Sequence, residues 1–125
     1  MSPSRRAPTV RLLFVAALSV ALVMALVPHP PNVAEINDKA QHSLAFVVLG
    51  VLAAEGWPGT PLLRLGERLS FVGALIEVFQ SIPALHRDCD VMDWITDTVA
   101  VAAALLVVAL LRRRAIGGRG YQRVA

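Results

Sequence analysis

WITDTVAVAAALLVVALL, residues 94–111, followed at once by Arg112-Arg113-Arg114, decides the fold. A bilayer core about 30 Å thick is crossed by roughly 20 mostly apolar residues in a helix. The run has that length, carries one charge (Asp97) near its start, and closes on a triple arginine that anchors a span at the cytoplasmic face. A second run of the same quality, Val10 to Val27, has Arg11 at its edge and is stopped by Pro28, Pro30 and Pro31, since proline lacks the N–H a helix needs. Between them lie two shorter runs. Ser43 to Trp57 ends at Glu55 and the break Trp57-Pro58-Gly59, and Leu69 to Ile82 holds Glu77 and Gln80 and stops at Pro83. The expectation is an all-α polytopic membrane protein, with four transmembrane helices at about 10–27, 43–57, 69–82 and 94–111 in one bundle, and a single domain over residues 1–125.

Composition agrees. Apolar residues make up 56% of the 125 positions and charged ones 17%, with mean hydropathy +0.62. That excludes a disordered chain, which needs low hydrophobicity and high charge. It also speaks against a soluble globule, because so short a chain cannot hide that much apolar surface. The one cysteine, Cys89, leaves no internal disulfide and no cysteine-clustered zinc site.

Net charge +3 and a pI near 10 resemble nucleic-acid-binding numbers, but topology explains them. With four spans, the amino terminus, the 58–68 loop and the tail share one side, which holds 10 of the 12 basic residues; Lys39 and Arg87 lie on the other. The positive-inside rule then puts both termini in the cytoplasm, and no nucleic-acid partner is called for. The first run is too long for a signal-peptide core and ends in a poor cleavage site, Ala25-Leu26-Val27-Pro28, so it is expected to stay as an anchor. The tail from Arg112 to Ala125, with its three glycines, is expected to be a solvated basic segment that touches anionic lipid.

Acidic residues gather on the outer side: Glu35, Asp38, Asp88, Asp90 and Asp93, with Glu77 and Asp97 just within the interface. Helical spacing sharpens the cluster. Asp38, His42, Phe46 and Gly50 share a face of the second helix; Gly73, Glu77 and Gln80 share one of the third; Asp90, Asp93 and Asp97 share one of the fourth. A carboxylate inside a span is a functional candidate by default and needs a partner; Lys39, His42 and Arg87 are those on offer. The expected site is Asp38, Lys39, His42, Glu77, Gln80, Arg87, Asp90, Asp93 and Asp97. Arg87 is expected to be its main anion contact, and Asp90, Asp93 and Asp97 are metal-ligand candidates. Asp38 and Asp90 also read as helix N-caps, each with a residue three on (Gln41, Asp93) that completes a loose capping box. His86 reads as solvated. Glu55 and Glu67 read as interfacial charges, and Gly50 and Gly73 as sites of close helix packing. Cys89, flanked by aspartates, reads as outward-facing and dispensable.

In order, D-K-x-x-H (Asp38 to His42) with Phe46 and Gly50, then G-x-x-x-E-x-x-Q (Gly73 to Gln80) with Pro83, then Arg87-Asp88-Cys89-Asp90 with Asp93 and Asp97, resemble the VanZ-like family of small bacterial membrane proteins. The resemblance covers about residues 38–97 plus a first span. One position departs from it: Thr98 follows Asp97 where a glycine is expected. The resemblance implies a four-helix protein of the bacterial cytoplasmic membrane. It also brings the association of the family's namesake with resistance to the glycopeptide teicoplanin, and no settled activity.

Three functions remain open on the residues. One is binding of a polar or anionic head group of an envelope lipid or lipoglycopeptide, since the second and fourth helices both begin at the outer face, where free N–H groups suit an anion, while the aspartates suit an amine or a metal ion. Another is an enzyme acting on a lipid-linked substrate, with His42 as acid/base and Asp93 or Glu77 as its partner, and a divalent cation on Asp90, Asp93 and Asp97. The absence of a recognisable nucleophile motif leans away from a covalent mechanism, and the residues leave the cofactor unknown. The third is a structural or assembly subunit whose polar cluster locks the bundle.

Overall fold

The computed structural model describes residues 3–28 and 38–124, with side chains over 5–28 and 39–120. The described chain is all-helical: α1 (Pro3–Leu26), α2 (Asp38–Gly56), α3 (Leu62–Gln80), a 3-10 turn (Pro83–Leu85) and α4 (Val91–Val124). Two helices, over Arg5–Leu26 and Val91–Gly120, are long and apolar enough to cross a membrane. The other two are 19 residues each, about 28 Å at 1.5 Å per residue.

Helix boundaries run past the apolar runs. α1 starts before Pro8, which removes one early hydrogen bond of the ladder. α3 begins at Leu62, on Pro61 at its N-cap position, so Arg64, Glu67 and Arg68 are helical and the connection expected over 58–68 shrinks to residues 57–61. α4 does not end at the triple arginine. It continues through Gly117, Gly118 and Gly120 to Val124, so the tail expected to be solvated is a helical extension, exposed over residues 113–120. Charge ends an apolar run but not a helix: Arg and Glu are good helix formers, and no proline intervenes.

α2 is the centre of the bundle and packs on α1 and α4, while α4 packs on α3. Its inward stripe is Phe46, Leu49, Gly50, Ala53 and Ala54, the i, i+3, i+4, i+7, i+8 pattern of one helix face. α4 presents Asp97, Val101, Ala104, Leu105 and Val108 in the same way, and α3 presents Leu65, Leu69, Gly73, Ile76, Glu77 and Gln80. Glu77, Gln80 and Asp97 are therefore buried because they continue apolar stripes.

Small residues set the spacing. A Cβ on Gly50 would meet Ala104 Cβ at 3.6 Å, ordinary contact, whereas one on Gly73 would meet Trp94 Cδ1 at 3.3 Å and Phe46 Cζ at 3.5 Å. Gly50→Ala is accordingly expected to cost under about 1 kcal/mol, and Gly73→Val about 1–3 kcal/mol by overpacking; thermal unfolding in detergent checks both. Where a glycine was expected after Asp97, Thr98 ties α4 to α3 by hydrogen bonds. Thr98 Oγ1 donates to the Trp94 carbonyl (2.8 Å), so the 3.0 Å contact with Ser70 Oγ is donated by Ser70. Trp94 Nε1 in turn donates to the Ser70 carbonyl at 3.0 Å.

Candidate functional site

The two ends of the bundle differ. At one end α2 finishes, and arginines from both neighbours cover its last carbonyls: Arg11 Nε donates to Gly56 O at 2.7 Å and Arg112 to Ala54 O at 2.8 Å. Cations at a helix carboxyl end oppose its partial negative charge. Arg11 also lies 5.4 Å over the Trp57 ring, which meets Phe14 edge-on at 5.2 Å. The sequence placed both arginines on the basic side but carried no signal for these carbonyl contacts.

The polar cluster forms at the opposite end, where α2 and α4 begin and α1 and α3 finish. The amino ends of α2 and α4 lie side by side: Lys39 Nζ stands 3.2 Å from Asp93 Oδ1 and 3.7 Å from Asp90 Oδ2. Contact with Asp93, its charge and then that of Asp90 hold the exposed Lys39 ammonium above its ordinary range. Asp90 caps α4 as the sequence indicated, its Oδ1 accepting from Met92 N–H at 2.9 Å. Asp93 does not close the capping box. The Asp90 N–H that it would accept goes instead to Glu77 Oε2 at 3.0 Å, so α3 supplies the second half of the cap and Asp93 turns to Lys39.

Glu77 thus finds its hydrogen-bond partner in a backbone N–H, with the charge of His42 also acting on it. Gln80, 3% exposed, donates from Nε2 to Ala25 O at 2.9 Å and fastens the end of α3 to the end of α1. Both residues were expected to line a binding site, and the structure gives each a contact that joins helices. Arg87 is partly buried in the loop before α4, and His42 is partly buried on α2. His86 is exposed, with the left-handed φ of 49°. Cys89 is exposed; partial desolvation first, then the charge and nearness of Glu77, push its thiol up. Asp38 begins α2, but its side chain, like all of Glu35, lies outside the described residues.

Deepest in the cluster is Asp97, 4% exposed. The charges that act on it, Asp93 and Glu77, are both negative, and Ser43 of α2 lies beside it. Neither Asp97 Oδ1 nor Ser43 Oγ has a hydrogen-bond partner among the described residues. Asp93 Oδ1 is buried in the same condition, ion-paired with Lys39 but without the alignment of a hydrogen bond. Ser43 escaped attention in the sequence because a serine at the start of an apolar run carries no signal; its i+4 spacing from Lys39 was the available clue.

The metal reading of Asp90, Asp93 and Asp97 does not match this geometry. Among the described residues no group of three or more His, Cys, Asp or Glu side chains could hold a metal ion. Asp90 is engaged as a cap at the rim and shares Lys39 with Asp93, while Asp97 lies a turn deeper. Comparison with protein-family models, curated proteins and solved structures finds no match to this chain.

Proposed function

We propose that this chain is a VanZ-like, four-span protein of the bacterial cytoplasmic membrane, with both termini in the cytoplasm, which holds a polar head group of an envelope lipid or lipoglycopeptide at the outer leaflet. The observation that carries the reading is the contrast between the sides and one end of the bundle. Large apolar side chains stand exposed on all four helices, among them Leu12 and Val20, Leu44 and Val48, Phe71 and Val78, Val99 and Leu106. At one end, by contrast, buried oxygens of Asp93, Asp97 and Ser43 stand without hydrogen bonds. Apolar surface on every helix suits lipid on every side.

Topology follows from charge. The 57–61 connection and the arginine-rich end lie on the basic side, and the positive-inside rule assigns that side to the cytoplasm. α2 and α3 are close to the bilayer core in length; Glu77 turns inward, as lipid demands, while Glu55, Arg64, Glu67 and Arg68 stand exposed toward the basic end.

A structural role has specific support for part of the cluster. Glu77, Gln80 and Asp90 complete helix ends within the chain. Binding therefore falls to Asp93, Asp97 and Ser43, with Lys39 at the rim. A lipoglycopeptide ligand would account for a resistance phenotype of the kind associated with the family's namesake.

Native mass spectrometry of the chain after gentle extraction tests the proposal. A lipid is expected to accompany the parent protein and to be lost from a folded Asp97→Asn variant. The same lipid content in both proteins would overturn the binding reading.

A further inference from the structure

We infer that the group received by Asp97 is a primary ammonium, carried by an ethanolamine-type lipid head group or by a small soluble amine; the lipid form rests on the head-group reading above. α2 and α4 face each other in two rungs of equal spacing. Lys39 and Ser43 are one turn apart on α2, and Asp93 and Asp97 are one turn apart on α4, about 6 Å at 1.5 Å per residue. The two helices lie parallel, with both amino ends at this end of the bundle, so Lys39 meets Asp93 on the upper rung and Ser43 faces Asp97 on the lower.

The upper rung already shows which chemistry the carboxylates accept, because the Lys39 ammonium pairs there with Asp93 and Asp90. On the lower rung no cation acts on Asp97 among the described residues. Asp97 is 4% exposed, its Oδ1 accepts no hydrogen bond from the described residues, and the charges acting on it, Asp93 and Glu77, are both carboxylates. A cation relieves that repulsion and an anion worsens it.

Donor count narrows the class further. Asp97 Oδ1 and Ser43 Oγ, side by side, make no well-formed hydrogen bond among the described residues, and Asp93 Oδ1 above them has only its ion pair with Lys39; an –NH3⁺ group has three N–H donors to offer such a set. A quaternary ammonium has the same charge and no N–H. A metal ion prefers a set of several ligating side chains, and no such set occurs among the described residues. In a zwitterionic head group the phosphate would lie toward the rim, beside the half-exposed Lys39.

The test uses the full chain in detergent, offered phospholipids with identical acyl tails and ethanolamine, choline or glycerol head groups, and read by native mass spectrometry. The ethanolamine lipid is expected to be retained at least tenfold over the choline lipid by the parent protein. That preference should vanish in Asp97→Asn, fall in Ser43→Ala, and persist in Glu55→Gln, at the opposite end. The parent-protein comparison stands even where a variant does not fold. Equal retention of ethanolamine and choline lipids overturns the ammonium assignment. Asp97-dependent preference for the glycerol lipid also overturns it and leaves the head-group reading intact. A separate arm offers millimolar ethanolamine alone. Asp97-dependent binding of the free amine without any lipid preference supports the ammonium and refutes the lipid. No Asp97-dependent binding of any probe refutes both.

Discussion

Glu77→Ala is expected to loosen the polar end of the bundle by about 1–3 kcal/mol, because it leaves the partly buried Asp90 N–H without its acceptor. Glu77→Gln should cost under about 1 kcal/mol, since an amide oxygen still accepts from that N–H and only the charge assistance is lost. The pair separates two roles. A carboxylate needed for its charge would suffer equally in both variants, whereas one needed as an acceptor suffers in alanine alone. Thermal unfolding in detergent, together with amide exchange at Asp90, reads the difference. Equal losses in the two variants would remove Glu77 from the α4 cap.

Leu49→Ala tests the core. Leu49 is 1% exposed at the centre of α2, against the helices on either side. In a water-soluble protein such a truncation costs about 2–5 kcal/mol, part transfer from water and part cavity. In lipid the transfer part shrinks, since tails are as apolar as the core and packing is what holds helices together. The expected loss is therefore about 2 kcal/mol, the low end of that range, measured by reversible unfolding in mixed micelles. A change under about 0.5 kcal/mol would mean that the site collapses freely and that α2 is not the bundle's packing axis.

Much of this was legible in the residues, for reasons that differ from place to place. The outer two helices announce themselves by unbroken apolar length, and the N-cap role of Asp90 follows from its position before a helix. The glycine at position 73 was readable as a close approach, and the indole of Trp94 is what fills the space. The ends of helices were not readable from hydropathy, because Arg64, Glu67 and Arg68 interrupt an apolar run without interrupting a helix.

Within the site, the acidic residues were visible but their partners were not. Glu77 was expected to pair with a charged side chain and Gln80 to line the site, yet they bond to a backbone N–H and a backbone carbonyl, which no residue type marks. Ser43 was missed because a hydroxyl matters there only through the carboxylate facing it from another helix. Lys39 lay in plain sight, and its choice of Asp93 and Asp90 depended on the parallel setting of α2 and α4.

The central claim is a four-span bundle whose polar end faces outward, and the single native cysteine tests it most directly. Cys89 is exposed at the polar end. Gly59 lies in the 57–61 connection at the opposite end, where an added Cβ meets nothing within 4 Å. An impermeant maleimide is applied to cells whose outer face is accessible, at mildly alkaline pH because the Cys89 thiol is pushed up by its surroundings. The account predicts labelling of Cys89 in the parent protein before lysis. It predicts labelling of a Gly59→Cys, Cys89→Ser protein only after lysis. Labelling of both positions from outside, or of the Gly59 position alone, would contradict it.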